Sequence, residues 1–229
     1  MKLLASGRDG DIFEYAPGLV LRKTRDGRSI AHEARTMRYV ADHGYPVPRV
    51  EEVRADGTEI VMERIDGPIM ADAMMRPPWK LGDHLRILAD LHDQLHEIPG
   101  ADWLAPMPGG GDRLLHMDLH PLNVIMSPRG PVVIDWPNAR LGDPMADVAL
   151  TYALIRCGRI PLPRPVAAVL DALRAPVLRR TFAKRYVGPA FYRRVAEMAE
   201  LKCFDKNMAP DELRRLRALA EESRGKAPG

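Results

Sequence analysis

The chain has 229 residues, of which 46% are hydrophobic, 28% are charged and only two are cysteine, and its formal net charge is +3. That length can bury a core in one domain or two closely packed lobes, whereas two cysteines are too few for a disulfide framework and no apolar stretch reaches the length that a bilayer requires. These features argue against a disulfide-stapled, secreted or membrane-spanning protein, so we expect a cytoplasmic protein with no membrane partner.

Residues 1–63 are predicted to form a small antiparallel sheet. The runs DIFEY and LVLRK are typical of strands and are joined around Pro17-Gly18. The runs VEEVRA and TEIVMER are two more candidate strands, and Asp56-Gly57 between them is a strong hairpin signal. The first quarter of the chain therefore reads as two hairpins separated by an intervening segment.

That intervening segment is predicted to be a helix. Ser29 is its candidate N-cap, apolar residues recur from Ile30 at helical spacing, and Gly44 followed by two prolines stops it. Glu33 falls on the same inward-facing stripe as the apolar residues. A carboxylate on the buried side of a helix needs a partner.

From about residue 67 the pattern becomes mainly helical. Leucines recur at helical spacing over residues 81–95, and another helix is predicted after Asp143, which is placed to cap it, with Pro144 at its first position. Between these helices, NVIM and PVVID flank a turn at residues 128–130 and predict a further hairpin.

The order of these elements predicts an α+β fold in two lobes. The N-terminal lobe, residues 1–66, is a small antiparallel sheet with one helix. The larger C-terminal lobe, residues 67–229, is mainly helical and contains the central hairpin.

The stretch LLHMDLHPLNVIMSPRGPVVIDW contains the candidate chemistry. Asp118 is followed five residues later by Asn123 and seventeen residues later by Asp135. Asn123 starts one strand of the predicted hairpin and Asp135 ends the other, so we expect the three side chains to converge at one edge. Mg²⁺ prefers hard oxygen ligands and takes only one or two carboxylates, which fits Asn123 and Asp135 as metal ligands and leaves Asp118 to face an acceptor.

This stretch resembles the catalytic loop of kinases followed by their metal-binding aspartate. More closely, residues 116–123 and the segment 134–136 resemble the aminoglycoside phosphotransferase family of small-molecule kinases. The resemblance implies a protein kinase-like fold that moves the γ-phosphoryl group of ATP, with Mg²⁺, onto a hydroxyl of a small molecule. It also implies that Asp118 is the base and that Asn123 and Asp135 bind the metal.

The resemblance extends into the N-terminal lobe. The family has a basic strand residue that touches the ATP phosphates and pairs with a helix carboxylate; Arg22 or the adjacent Lys23 matches the first and Glu33 the second. Side chains alternate along a strand, so only one of the two basic residues can face the cleft. The segment IVMERIDG resembles the adenine-binding strand and hinge, with Met62 lining the pocket and the backbone of Glu63 to Ile65 offering hydrogen bonds.

Three departures from the family pattern concern loop geometry. The phosphate-covering loop SGRDGDIF has only Gly7 and Gly10, and Met117 replaces the glycine that usually follows the loop histidine. The segment 136–138, Trp-Pro-Asn, stands where Phe-Gly is usual. None of these changes removes a predicted ligand, so they bear on loop geometry and adenine affinity more than on the reaction type.

Two alternative functions remain open. Only 11 residues separate Asp135 from Asp147, too few for the activation segment of a protein kinase, so an atypical RIO-type kinase is the closest rival enzyme. The second alternative is a non-catalytic nucleotide-binding scaffold, a pseudokinase. Within the kinase interpretation, Asp147 is expected to anchor the catalytic loop and His116 to bond the loop backbone.

The charge distribution bears on the acceptor. Residues 156–229 carry 17 lysines and arginines against 8 acidic residues, a net charge of +9, and residues 1–155 carry −6. No aromatic residues alternate with these charges as stacking sites for bases, so we expect no nucleic-acid partner. The family holds its acceptor largely with the helices of region 144–229, and this basic region predicts a neutral or anionic hydroxyl compound rather than a polycationic aminoglycoside.

Overall fold

A computed structural model describes residues 1–7, 10–75, 78–159, 164–206 and 208–227. The chain divides into two compact units, Met1–Ala73 with Pro121–Ala139, and Met74–His120 with Arg140–Gly229. The middle of the predicted phosphate-covering loop, Arg8 and Asp9, lies outside the described residues. Each unit is described separately below.

The first unit is built on a five-stranded antiparallel sheet. Its strands are β1 (Leu3–Ser6), β2 (Gly10–Ala16), β3 (Leu19–Thr24), β4 (Val50–Arg54) and β5 (Glu59–Glu63), in the order β1-β2-β3-β5-β4. Both predicted hairpins, β2–β3 and β4–β5, are confirmed. Strand β1 was not predicted, because its four residues are all exposed and show no apolar alternation.

The helix between the hairpins, α1 (Ala31–Asp42), has one face buried in the first unit. The N-cap position of this helix is Ile30 and not Ser29, so the predicted N-cap was one residue too early in the chain. The Ser29 hydroxyl still accepts a hydrogen bond from the amide of Ala31 at 3.3 Å, as Ser and Thr side chains do near helix starts. Glu33 is 2% exposed, so the predicted inward-facing carboxylate is confirmed.

A second hairpin sheet in the first unit carries two predicted site residues at its end. Strands β7 (Val124–Ser127) and β8 (Gly130–Val133) pair in antiparallel register with Val124 opposite Val133, which confirms the predicted hairpin. One step beyond this pair, the amide of Ile134 donates to the carbonyl of Asn123 at 3.0 Å. The ladder therefore continues to the residues that immediately precede β7 and follow β8.

The second unit is mainly helical. Its helices are α3 (Leu81–His96), α4 (Pro144–Cys157), α5 (Arg164–Arg180), α6 (Pro189–Lys202) and α7 (Pro210–Gly225), preceded in the chain by the short α2 (Met70–Met74). Two short strands, β6 (Arg113–Leu115) and β9 (Arg140–Gly142), pair in antiparallel fashion. Within the described ranges, none of the helices combines the length and the apolar character needed to cross a bilayer.

Two helix predictions in the second unit are confirmed. The leucine stripe of α3 faces inward, with Leu85, Leu88, Leu91 and Leu95 all buried. Asp143 caps α4, since its Oδ1 accepts from the amide of Met145 at 3.0 Å, and Pro144 occupies the first turn. The start of α4 is thereby fixed, and Asp147 lies in its first turn.

Candidate active site

Arg22 joins two other predicted site residues of the first unit. From β3 its guanidinium forms an ion pair with Glu33 of α1, and its Nη2 lies 3.5 Å from Oδ1 of Asp135. Arg22 is 13% exposed and Glu33 2%, so this pair is largely withdrawn from water. Burial raises the pKa of the Glu33 carboxyl to about 7, although Arg22 opposes that shift. Glu33 therefore holds the guanidinium in place, and Arg22 extends toward Asp135.

Lys23 lies apart from this group. Its Nζ pairs with Glu59 on β5 at 3.0 Å, and its side chain is 56% exposed. The alternation of side chains along β3 explains the difference, because neighbouring residues point to opposite faces of a sheet. Of the two basic candidates, Arg22 is the one brought together with Glu33 and Asp135. Met62, the predicted adenine contact, is half-buried on β5 opposite Val20.

The two predicted metal ligands lie at the same end of the β7–β8 hairpin. Asn123 directly precedes β7 and is 8% exposed, and Asp135 follows β8 by one residue with its side chain 38% exposed. Asp135 has φ +69°, a left-handed conformation that turns the chain sharply after the strand. An amide oxygen and a carboxylate are the hard donors that Mg²⁺ prefers, so this donor set fits that ion.

The predicted adenine hinge has one amide available. The amides of Glu63 and Arg64 already donate to the carbonyls of Arg49 and Gly18, at 2.8 and 2.9 Å. In the described part of the chain, no hydrogen bond from the amide of Ile65 is found. Of the three hinge residues, Ile65 therefore offers the backbone N–H that an adenine ring can use.

In the second unit, the loop with the predicted base is fixed by a buried carboxylate. The oxygens of Asp147 accept hydrogen bonds from the amides of His116 and Met117, at 2.9 and 2.8 Å. The amide of Asp118 donates to Nδ1 of His116 at 3.2 Å. The predicted roles of Asp147 as loop anchor and of His116 as a backbone partner are confirmed. The Asp118 side chain is 18% exposed.

Asp147 is ionised in spite of being fully buried. Burial by itself favours the neutral carboxyl, but the hydrogen bond from His96, at 3.2 Å, and the neighbouring histidines hold its pKa below the ordinary value. The two loop amides also donate to the charged form. The anchor of the loop that carries Asp118 is therefore a charge-assisted one, which is stronger than a bond between neutral groups.

Lys202 is a neighbour of Asp118 that the sequence did not reveal. At the last residue of α6, its Nζ lies 4.0 Å from Oδ1 of Asp118 and 2.9 Å from Oδ2 of Asp205. Nε2 of His120 lies 3.5 Å from the same Asp118 oxygen. The basic composition of residues 156–229 was the only signal, and it did not single out Lys202 among its lysines and arginines.

Met117 carries backbone strain where the family usually has glycine. Its φ is +61°, and its side chain is 7% exposed. We expect Met117→Gly to have a free energy of unfolding about 1 kcal/mol higher than Met117→Ala, because both lose the buried side chain but only alanine keeps a Cβ in the left-handed region. Urea denaturation of the two variants measures the difference.

A helical position provides the control for that comparison. Met198 is 5% exposed within α6, where glycine is expected to be about 1 kcal/mol less stable than alanine. The order of stability should therefore reverse between the two sites. Alanine being the more stable variant at Met117 as well would contradict the assignment of strain to that residue.

The chain resembles a defined family and several solved structures. The family model of the phosphotransferase enzyme family matches residues 2–106 and 101–187. No curated protein matches the sequence. A choline/ethanolamine kinase family protein from Mesorhizobium loti is 17% identical, over 99% of this chain and 87% of that one, with a TM-score of 0.53.

Two further structures are similar in fold. The streptomycin-ATP-APH(2″)-IIa ternary complex is 16% identical, over 97% of this chain and 92% of that one, with a TM-score of 0.59. Amicoumacin kinase hAmiN in complex with AMP-PNP, Ca²⁺ and Ami is 15% identical, over 99% and 89%, with a TM-score of 0.55. These likenesses and the two units described above confirm the predicted kinase-like α+β fold. With the family model matching most of its length, this chain belongs to the phosphotransferase enzyme family.

Proposed function

We propose that this protein is a kinase that transfers the γ-phosphoryl group of ATP, with Mg²⁺, to a hydroxyl of a neutral or anionic small molecule. The observation that carries the proposal is the contact of Arg22 with both Glu33 and Asp135. Phosphoryl transfer is catalysed mainly by positioning and by neutralising charge on the phosphate oxygens, and a fixed guanidinium beside a predicted metal ligand suits that task. In this proposal residues 1–66 bind the nucleotide, and residues 67–229 supply the catalytic loop and the acceptor helices.

Four residues of the first unit have roles on the nucleotide in this proposal. Arg22 binds phosphate oxygens, and Glu33 fixes the guanidinium through their buried ion pair. Met62 packs against the adenine ring, and the free amide of Ile65 donates to it. A planar guanidinium presents several N–H donors in a fixed fork, which is the geometry that phosphate oxygens accept.

Asn123 and Asp135 would hold the metal ion. Their oxygen donors fit Mg²⁺, and the hydrogen bond between Ile134 and Asn123 keeps the two segments adjacent. When bound, Mg²⁺ neutralises charge on the phosphate oxygens during transfer. The protein itself contributes the spacing of the two donors, which the hairpin register fixes.

Asp118 accepts the proton of the acceptor hydroxyl in this proposal. The bond that forms joins the hydroxyl oxygen to the γ-phosphorus, the bond that breaks joins that phosphorus to ADP, and the hydroxyl proton passes to the Asp118 carboxylate. Asp147 keeps the base oriented, because it holds the amides of the two residues that precede Asp118.

The acceptor class follows from the charges around Asp118. Lys202 places an ammonium group 4.0 Å from the base, where it attracts an anionic acceptor and repels a polycation. Asp205 shares the same ammonium group at 2.9 Å, so Lys202 offsets one of the two carboxylate charges beside the base and leaves these three side chains with a net charge of −1. The proposal therefore includes neutral as well as anionic acceptors, in agreement with the +9 charge of residues 156–229.

A screen of hydroxyl compounds, read as ADP release from ATP and Mg²⁺, tests this proposal. The compounds form sets matched in size and differing in charge, such as glycerol, glycerate and serinol, with kanamycin as the polycation. With an anionic acceptor, Lys202→Glu is expected to lower kcat/KM at least about tenfold relative to a neutral one, because it adds like-charge repulsion. Lys184→Glu makes the same charge change at an exposed residue and should leave the ratio unaltered.

Three results would count against the proposal. Preferential phosphorylation of kanamycin would contradict the acceptor class. Autophosphorylation without any small molecule would favour a RIO-type protein kinase. ATP binding that needs no metal, together with no turnover of any acceptor, would favour a non-catalytic scaffold.

A further inference from the structure

Two histidines and an aspartate meet in the interior of the second unit. His92 and His96 are one turn apart on α3, with ring centroids separated by 5.5 Å, and Asp147 belongs to the first turn of α4. One ligand atom from each of the three lies within 4.8 Å of the others. The distances to Oδ2 of Asp147 are 3.2 Å from Nε2 of His96 and 3.8 Å from Nδ1 of His92.

Hydrogen bonding fixes which nitrogen of His92 carries its proton. The Thr151 hydroxyl donates to the carbonyl of Leu119 at 2.6 Å, so its oxygen can only accept from Nε2–H of His92, at 3.1 Å. In a neutral ring, Nδ1 of His92 is then a lone pair. That atom is fully buried and has no hydrogen-bond partner.

The lone pair of His92 faces a negative oxygen. An imidazole acceptor and a carboxylate acceptor at 3.8 Å repel each other, and in a buried place neither is screened by water. No lysine or arginine pairs with Asp147 anywhere in the described ranges. Buried charges are normally paired or coordinate a metal. The two acceptors, Nδ1 of His92 and Oδ2 of Asp147, therefore lack a positive centre between them.

We propose that His92, His96 and Asp147 bind a first-row divalent cation of the zinc type. Imidazole nitrogen and carboxylate oxygen are zinc ligands at about 2.0–2.2 Å, and tetrahedral ligands at that distance are about 3.3 Å from one another. The separations of 3.2 and 3.8 Å are near that spacing and all three ligand atoms lie within 4.8 Å of one another, so small movements of the two rings would bring them to it. Ligation by His96 through Nε2 moves its ring proton to Nδ1, and Asp147 keeps its second oxygen for the loop amide of Met117.

A cavity adjoins the cluster at His96. This cavity of about 210 Å³ is lined by His96 together with the carboxylates of Asp93 and Glu97. Arg185 and the Tyr186 hydroxyl already pair with Asp93, so Glu97 is the carboxylate of this lining that can attract a cation. A water molecule from the cavity can complete four-coordination. Mg²⁺ strongly prefers oxygen ligands, so this site is chemically distinct from the pair Asn123 and Asp135.

The site ties the catalytic loop to α3. Asp147 holds the amides of His116 and Met117, and a metal shared by Asp147 and two histidines of α3 would cross-link that anchor. The cation therefore serves a structural role. It supplies no chemistry to phosphoryl transfer, and its binding is measurable whether or not the kinase proposal holds.

Co²⁺, a spectroscopic substitute for Zn²⁺, tests this site directly. The full-length protein is stripped with chelator and titrated with Co²⁺, and visible d–d absorption of a tetrahedral complex is expected to saturate at one ion per chain. Zn²⁺ should displace it, whereas excess Mg²⁺ should not. His92→Leu should weaken Co²⁺ affinity at least about tenfold. His84→Leu is the control and should leave Co²⁺ affinity unchanged, because His84 is a buried histidine of the same helix whose ring bonds the carbonyl of Lys80.

A second measurement guards against misfolding of the variant. Zn²⁺ should raise the melting temperature of the wild-type protein in proportion to its binding, and this needs no substitution. A wild type that stays colourless at millimolar Co²⁺, or Co²⁺ bands that survive in His92→Leu, would overturn the proposal. The three side chains would then form only a hydrogen-bonded anchor, with a proton rather than a metal between His92 and Asp147.

Discussion

Replacing Asp118 with alanine is expected to lower the kcat of phosphoryl transfer by about 10²–10⁴-fold, the contribution typical of a positioned general base. The KM for ATP should change little, because the proposed nucleotide contacts lie in the other unit. The fold should be retained, since Lys202 keeps Asp205 as a partner when Asp118 is removed. Initial rates of ADP release with the best acceptor from the screen measure both constants.

Asp112→Ala is the matched control for this change. Asp112 lies six residues upstream, its side chain is 88% exposed, and its loss removes the same charge from the same part of the chain. Its kcat should equal that of the wild type. An Asp118→Ala enzyme that keeps more than about a tenth of the wild-type kcat would show that no base at this position contributes, and the mechanism would then rest on positioning and metal alone.

Asp135→Asn is expected to lower kcat about 10³-fold, because a bound metal contributes several kcal/mol of charge stabilisation and each 1.36 kcal/mol corresponds to about a factor of ten. Asparagine is the informative replacement, since it tolerates the φ of +69° at this position and keeps the shape of the side chain. Arg22 retains its ion pair with Glu33, so the surroundings stay ordered. Initial rates of ADP release at varied Mg²⁺ concentration measure the loss.

Asp66→Asn provides the comparison for the metal ligand. The Asp66 side chain is 75% exposed and pairs with Arg64 at 2.8 Å, so neutralising it should leave the rate and the Mg²⁺ dependence unchanged. If Asp135→Asn showed the Mg²⁺ dependence of the wild type, then Asp135 would not be a metal ligand. The contact with Arg22 would then be the reason for the position of the Asp135 side chain.

Local patterns in the sequence predicted the elements that carry the first half of the site. The turn residues at 17–18 and 56–57 identified both hairpins of the five-stranded sheet, because such turns have few alternative conformations. The stripe of α1 identified Glu33 as buried, and strand alternation indicated that only Arg22 or Lys23 could face it. The structure brings Arg22 to Glu33, whereas Lys23 pairs with Glu59 on the neighbouring strand.

Features that depend on distant contacts could not be predicted in this way. Strand β1 is exposed and unpatterned, and it exists because β2 offers an edge to pair with. Lys202 lies 84 residues from Asp118, and nothing in its own helix distinguishes it from other basic residues. The lone pair of His92 is apparent only when Thr151, 59 residues away, fixes the tautomer. Local sequence propensity carries no information about contacts between residues that are far apart in the chain.

Calorimetric titration of the wild-type protein with ATP, with and without Mg²⁺, repeated on Asp135→Asn, tests the proposed nucleotide and metal site directly. We expect the wild type to bind ATP markedly more tightly with Mg²⁺ than without it, and the metal to make little difference to the variant, because Asp135 would hold the ion against the phosphates. ATP affinity that is the same with and without Mg²⁺ in both proteins would contradict it, and a wild type that does not bind ATP under either condition would contradict the nucleotide site as a whole.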